Sequence, residues 1–421
     1  MRSWLVATNR FDPDLCGRTC GCRTFGNHCF GNSLRIPPNM AFLLLPFAWI
    51  YAGIMAFRNW LYDTGWKPTE TFAVPLLGVG NLRVGGTGKT PHVIWLVEEL
   101  LRQGHRPAIL SRGYGRRTRG PRLASPADSA ATVGDEPWQY VGHFAAAGVP
   151  VAVAEARRLG VRLLLAAHPD LTVVVLDDAY QHRAVRPVLN ILLTELARPF
   201  YADHVLPAGR LRESRAGADR ADVVILTKCP PDLPAAVRAE AEQQVCRYTR
   251  AGVPVLFSSY EYAPAQLLAD APESGMESSE TGSGAAAGRR EAAAALPLAL
   301  AAPSASTPAK DEAPALLLTG IAQPGPLRAQ LQQQGYHLHF HAEFADHHAF
   351  TAADLAGLRA HWQPGWPIFT TEKDATRLLD PALRVARAGL PIYTIAVRVA
   401  FWGDGAAQLR RLLPAAPLAS R

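Results

Sequence analysis

A loop of Gly85-Gly86-Thr87-Gly88-Lys89-Thr90-Pro91 lies between two apolar stretches, Val74 to Val79 before it and Val93 to Leu101 after it. The order predicts strand, glycine-rich turn, helix, and it commits the chain to an α/β core with a phosphate cradle at its heart. Glycines let backbone N–H groups close on phosphate oxygens, and the following helix N-terminus adds partial positive charge. In that cradle Gly85, Gly86, Thr87 and Gly88 supply the loop, Lys89 reaches the terminal phosphates of ATP, and the Thr90 hydroxyl faces Mg²⁺. The usual spacing asks for glycine five residues before Gly88, where this chain has Arg83.

Further apolar runs follow at Pro107–Leu110, Val149–Ala154, Leu171–Leu176, Asn190–Leu193 and Asp222–Leu226, separated by helical stretches. Such alternation predicts parallel βαβ units in a doubly wound sheet, with ligands at the carboxyl ends of its strands. Between about 263 and 314 the composition turns to Ala, Ser, Gly, Pro and Glu, the signature of a flexible insertion, with a short helix over Arg289 to Leu300 as the alternative. Strand patterns resume at Ala315, Pro367 and Leu390. The expected organisation is an extension at 1–39, a hydrophobic helix at 40–67, a P-loop core at 68–262, the insertion at 263–314 and a smaller α/β lobe at 315–421.

The 17 residues Ala41 to Phe57 carry no charge, and Arg58, Trp60, Tyr62, Trp66 and Lys67 follow. That length sits at the lower limit for a membrane span and Pro46 interrupts it, whereas aromatic and basic residues at one end suit a helix lying at a membrane surface. A core helix is the alternative. Because the loop needs cytosolic ATP, the bulk of the chain is expected on the cytoplasmic side. Cys16, Cys20, Cys22 and Cys29 lack the paired spacing of common zinc sites.

A net charge of +7 suits anionic partners, and five arginines with no acid lie between Arg112 and Arg122. That loop fits a phosphate group, or is simply a solvated basic turn; nucleic acid is disfavoured because no recognisable module or interleaved aromatics accompany it. Asp177-Asp178 ends an apolar strand, where carboxylates of P-loop enzymes hold Mg²⁺, with a simple turn as the alternative, and Gln181-His182-Arg183 follows. Asp135 opens the turn Gly134-Asp135-Glu136-Pro137, where a helix cap is the ordinary explanation. Asp346-His347-His348, Thr371-Glu372-Lys373-Asp374 and the loop holding Arg210, Arg212 and Glu213 are further polar groups.

Taken in order, GVGNLRVGGTGKTP, SRGYGRR, VGDEP, DDAYQHR, LPAGRLRE, FADHH and TTEKDA resemble the tetraacyldisaccharide 4'-kinase family, from about Met40 to near Ala400. The resemblance includes the shortened loop pattern and the hydrophobic helix before RNWLYDTGW. It implies transfer of the ATP γ-phosphate to the 4'-hydroxyl of an acylated glucosamine disaccharide 1-phosphate, with Mg²⁺, at the cytoplasmic face of a bacterial inner membrane. It implies that Asp135 takes the hydroxyl proton with His347 as its partner, that Thr90, Asp177, Asp178 and Glu213 serve the metal, and that Arg112, Arg116, Gln181, His182 and Arg210 meet the substrate. A rival P-loop ATPase switch would share Lys89 and the strand-end acids but would need neither Asp135 nor His347.

Overall fold

The computed structural model describes residues 38–268 and 313–415. The cysteine cluster of the N-terminal extension and the helix considered at Arg289–Leu300 lie outside the described residues. In chain order the elements are α1 (Pro38–Asp63), β1 (Leu76–Asn81), α2 (Lys89–Arg102), β2 (Pro107–Ser111), β3 (Arg122–Leu123), α3 (Ala130–Val133), α4 (Asp135–His143), β4 (Val151–Val153) and α5 (Arg157–Ala167). Then come β5 (Val173–Asp177), β6 (Leu189–Glu195), β7 (Val223–Thr227), α6 (Ala235–Cys246), β8 (Val255–Tyr262) and β9 (Gln266–Leu267). The remainder are β10 (Pro314–Thr319), α7 (Gly325–Gln333), β11 (His337–Glu343), α8 (Ala352–His361), β12 (Ile368–Thr371), α9 (Glu372–Leu378), α10 (Arg384–Arg387), β13 (Ile392–Ile395), β14 (Val397–Phe401) and α11 (Gly405–Leu412).

The larger sheet runs β14-β8-β7-β6-β1-β5-β2-β4-β3, parallel except at its two edges. Its central strands are buried along their length, as a sheet covered on both faces requires. The period of two in β1 divides the core. Leu77 and Val79 pack with Val93, Leu96, Val97 and Leu100 of α2. Leu76 faces the other way, toward Val161 and Leu164 of α5. Because β1 lies between β5 and β6, the chain leaves its end at the switch point of the sheet, where such folds hold ligands.

The smaller sheet runs β11-β10-β12-β13-β9. Leu316 and Leu318 bury against Leu355 and Leu358 of α8, and Leu317 against Leu327 and Leu331 of α7. The lobe boundary differs from the one expected at 315–421. Residues after β13 return to the larger sheet: β14 pairs antiparallel with β8, and Leu409 and Leu413 join the core over α2. Arg410 fixes this return by reaching Glu99 at 3.0 Å and lying over the Trp95 ring. Conversely, β9 crosses to pair with β13 in the smaller sheet.

No helix among the described residues is long and apolar enough to cross a membrane. One side of α1 docks on the larger lobe through Tyr51, whose hydroxyl donates to the Arg212 carbonyl at 2.8 Å, and through Arg58 and Asn59. Phe47, Ile50, Ile54 and Phe57, spaced along another face, are exposed.

Candidate active site

The loop after β1 is braced from below. Asn81 donates to the Thr87 hydroxyl at 2.7 Å, and Thr227, at the end of β7, donates to the Thr87 carbonyl at 2.9 Å. Gly85 and Gly86 remain exposed at the tip. Gly88 caps α2 at φ 86°, and a Cβ there would stand 1.7 Å from the Tyr260 hydroxyl, so the position admits only glycine. The Tyr260 hydroxyl is buried with no hydrogen-bond partner among the described residues. No sequence signal pointed to Tyr260; its closeness follows from β8 lying beyond β7 in the sheet. His92 steadies the first turn of α2, with Nδ1 2.8 Å from the Gly88 carbonyl and Nε2 3.0 Å from Ser258 Oγ. Burial holds its pKa down at about 4, so it is neutral.

The strand-end aspartates have separate environments. Asp177 is buried, and the Ser111 hydroxyl donates to its Oδ2 at 2.9 Å. Burial, reinforced by the neighbouring Asp178 charge, pushes its pKa up to about 6. Its Oδ1 has no partner among the described residues. The buried Tyr140 ring of α4 borders both Asp177 and Thr90, so these two groups share one neighbourhood. Asp178 adopts φ 48°, and Arg157 donates to the preceding carbonyl, that of Asp177, at 2.9 Å. Its carboxylate meets Arg212 at 2.9 Å and Lys89 at 3.6 Å.

Two expected metal ligands are therefore already committed. Asp178 is paired with two cations. Glu213 is buried and held by Asn59 at 3.0 Å, Gln181 at 3.1 Å and Arg220 at 2.7 Å, so it ties α1 to the site instead of facing the loop. Among the described residues no cluster of three or more metal-binding side chains occurs. An unpartnered carboxylate oxygen near a threonine hydroxyl nevertheless fits Mg²⁺, which takes one or two protein ligands and fills its shell with water and phosphate.

The basic loop divides as well. Arg116 is turned inward and its side chain is buried, with Nη2 bound to Glu155 at 2.5 Å and to the Gly120 carbonyl at 2.7 Å, so it folds the loop instead of presenting a surface cation. Arg112 is exposed, and its charge acts on His182. Burial first, then the Arg157 and Arg112 charges, hold the pKa of His182 near 4. Gln181 reaches the Asn81 carbonyl at 2.8 Å and Glu213, which makes it a brace between strand ends. Arg210 contributes its carbonyl to the Val84 amide at 2.8 Å and so flanks the phosphate loop.

Asp135 and His347 come together across the two lobes. Asp135 is the first residue of α4, after Gly134 at φ 99°, so the cap is the glycine. His347, at φ 63°, places Nδ1 2.9 Å from Asp135 Oδ2. Lys373 Nζ lies 3.1 Å from His347 Nε2 and 3.1 Å from Asp346. Arg377 is buried, stands 3.2 Å from Asp135 and 3.4 Å from Asp374, and donates to the His348 carbonyl at 2.9 Å. Burial alone would raise the pKa of Asp135, but the His347 hydrogen bond and the charges of Arg377, His347 and Lys373 outweigh it and hold the carboxyl below its ordinary value. Arg377 was missed in the sequence. It lies two residues past the TTEKDA group, and only the first turns of α9 bring it to the same face as Lys373 and Asp374.

The Tetraacyldisaccharide-1-P 4'-kinase family profile matches residues 40–415. A tetraacyldisaccharide 4'-kinase from Cytophaga hutchinsonii is 38% identical over 365 residues, covering 86% of this chain and 92% of its own. One from Bacteroides thetaiotaomicron is 39% identical over 341 residues, covering 80% and 82%. Among solved structures, LpxK from Aquifex aeolicus in complex with ATP superposes with a TM-score of 0.61 at 27% identity, covering 89% of this chain and 98% of that one. With a family match across nearly all of both lobes, the chain belongs to the tetraacyldisaccharide-1-phosphate 4'-kinase family.

Proposed function

We propose that this protein transfers the γ-phosphate of ATP to the 4'-hydroxyl of a tetraacylated glucosamine disaccharide 1-phosphate, a step of lipid A synthesis. The observation that carries the reading is the Asp135–His347 contact of 2.9 Å formed across the two lobes, within a fold whose P-loop stands ready for a nucleotide. Family membership and the ATP bound in the Aquifex aeolicus relative support the same reactants.

In this reading the loop amides from Gly85 to Gly88 and the Lys89 ammonium hold the triphosphate. Thr90 and Asp177 are the residues that would hold Mg²⁺, which supplies charge neutralisation at the phosphate oxygens when bound. Arg212, with Lys89, keeps Asp178 ionised and fixed beside the loop. Asp135 accepts the proton of the sugar hydroxyl as its oxygen bonds to the γ-phosphorus and the bond to the β-phosphate oxygen breaks, releasing ADP. His347 and Arg377 hold that carboxylate, Lys373 steadies His347, and together they keep Asp135 ionised until it takes the proton. Arg112 is the exposed cation best suited to a substrate phosphate. The exposed face of α1 supports work at the cytoplasmic surface of the inner membrane.

The test is to incubate the purified protein with γ-labelled ATP, Mg²⁺ and the disaccharide lipid. Label should move to lipid, and Lys89→Ala should abolish transfer while leaving the melting temperature unchanged. Release of label to water alone would favour the ATPase switch instead.

A further inference from the structure

Tyr51, Arg58 and Asn59 share one face of α1, at the i, i+7, i+8 spacing of a helix. Each meets a different residue at the nucleotide end of the larger lobe. Tyr51 donates to the Arg212 carbonyl at 2.8 Å, Arg58 donates to the Gln181 carbonyl, and Asn59 donates to Glu213 Oε2 at 3.0 Å. Arg183 returns the contact, donating to the Asn59 carbonyl at 2.9 Å. Among the described residues of α1 only Ala48 is buried, so hydrogen bonds, and not a shared apolar core, join this helix to the lobe.

The three residues that α1 holds form one unit. Gln181 Nε2 donates to Glu213 Oε1 at 3.1 Å and to the Asn81 carbonyl at 2.8 Å, and Gln181 Oε1 accepts from Arg212 at 3.4 Å. From that amide two paths reach the nucleotide loop. One runs through Asn81 to the Thr87 hydroxyl at 2.7 Å. The other runs through Arg212 to Asp178 at 2.9 Å and on to Lys89 at 3.6 Å. The amide serves both in one orientation only, and Glu213 selects it, because a carboxylate accepts and cannot donate. Glu213 is itself buried, with Oε1 taken by Gln181 and Arg220 and Oε2 by Asn59. Without the Asn59 donor a buried carboxylate oxygen loses its partner. The carboxylate must then turn to recover one, and it draws the Gln181 amide with it.

We propose that Asn59 is a positioning residue for ATP: it orients Glu213, and through the Gln181 amide it sets both the loop at Thr87 and the Asp178–Lys89 pair. The proposal rests on the ATP site of the kinase reading above. It makes the inner face of α1 part of the nucleotide site, a role separate from that of its exposed apolar face.

The experiment uses the full chain and reads equilibrium binding of ATP with Mg²⁺ in the absence of lipid. Asn59→Ala should raise Kd about tenfold, what one hydrogen bond to a charged group supplies. Gln181→Leu should weaken binding at least as much, and adding Asn59→Ala to it should cost nothing more, because the path is already cut. A helix that merely anchors would add its cost in either background. Additive losses therefore overturn the proposal, as does an unchanged Kd in Asn59→Ala. Should the alanine variant not fold, Asn59→Ser, whose shorter side chain also gives up the bond, supplies the same cycle. In the transfer assay the loss should fall on KM for ATP. A rise confined to KM for the lipid overturns the proposal and leaves the kinase reading in place. A wild type that binds ATP but leaves the lipid unlabelled refutes the kinase reading, and the binding cycle then decides the role of Asn59 by itself.

Discussion

His347 Nδ1 lies 2.9 Å from Asp135 Oδ2, although 212 residues separate them in the chain and they belong to different lobes. The pair exists only when both sheets are built and correctly apposed, so chemistry at Asp135 is conditional on the smaller lobe.

Removing either member should therefore cost rate more than nucleotide affinity. Asp135→Asn is expected to lower kcat by about 10²- to 10⁴-fold, the range for a positioned general base, and His347→Ala by less. Equilibrium ATP binding should be unchanged in both. A variant of Asp135 that retains near-normal kcat would remove it from the reaction.

Arg377 makes a prediction of a different kind. It lies 3.2 Å from Asp135 and lowers the pKa of that carboxyl. With Arg377→Met the carboxyl should protonate more readily, so the acid limb of the kcat/KM profile moves to higher pH. Loss of alignment adds a fall in kcat on the order of 10²-fold. An unshifted acid limb would show that Arg377 only packs.

A pH effect on stability follows from His143. Glu98 Oε1 lies 3.0 Å from its Nε2 and Glu372 Oε1 3.9 Å from its Nδ1, joining α2, α4 and α9. Burial disfavours the charged ring, yet the bonds and charges of Glu372 and Glu98 raise the pKa to about 9. The folded value exceeds the unfolded 6.5, so this stabilisation is complete below pH 6.5 and is lost as pH rises through 9. Its full size is on the order of 2–3 kcal/mol. Thermal melts from pH 6 to 10 should show a decline in wild type that His143→Leu lacks; parallel curves would refute the role.

The α1 helix should be tested by substitution and not by deletion, because Tyr51, Arg58 and Asn59 anchor it to Arg212, Gln181 and Glu213. Ile50→Glu with Ile54→Glu alters only the exposed face. Each buried isoleucine is worth about 1.5–3 kcal/mol, so the double variant should lose sedimentation with anionic vesicles while keeping its melting temperature and its activity on detergent-dispersed substrate. Unchanged sedimentation would exclude this face as the membrane contact.

The architecture was legible because local patterns announce it: Gly88-Lys89 between two apolar runs, and continuous valine and leucine in β5 and β7. Asp135 and His347 were legible through the family motifs. What escaped depends on distant partners. Arg116 looks like any other arginine of its loop until Glu155 closes on it, and Glu213 resembles a metal ligand until Arg220 and Asn59 surround it. Tyr260 carries no motif, and its approach to Gly88 is a product of strand order. The return of β14 to the first sheet was hidden for the same reason, since an edge strand after β13 has no local mark of which sheet it will join.

That return makes the smaller lobe a guest inside its host: the chain leaves the nucleotide half after β8 and re-enters it at β14, with the Ala263 amide bonded to the Ala396 carbonyl at 2.9 Å where the two crossings touch. Severing the protein near residue 313 would thus yield no pair of autonomous fragments, because the second piece carries the host's outermost ribbon and the leucines that seal α2. Damage at α11 would be felt first at the ATP end of the enzyme, far from the lobe its place in the sequence suggests.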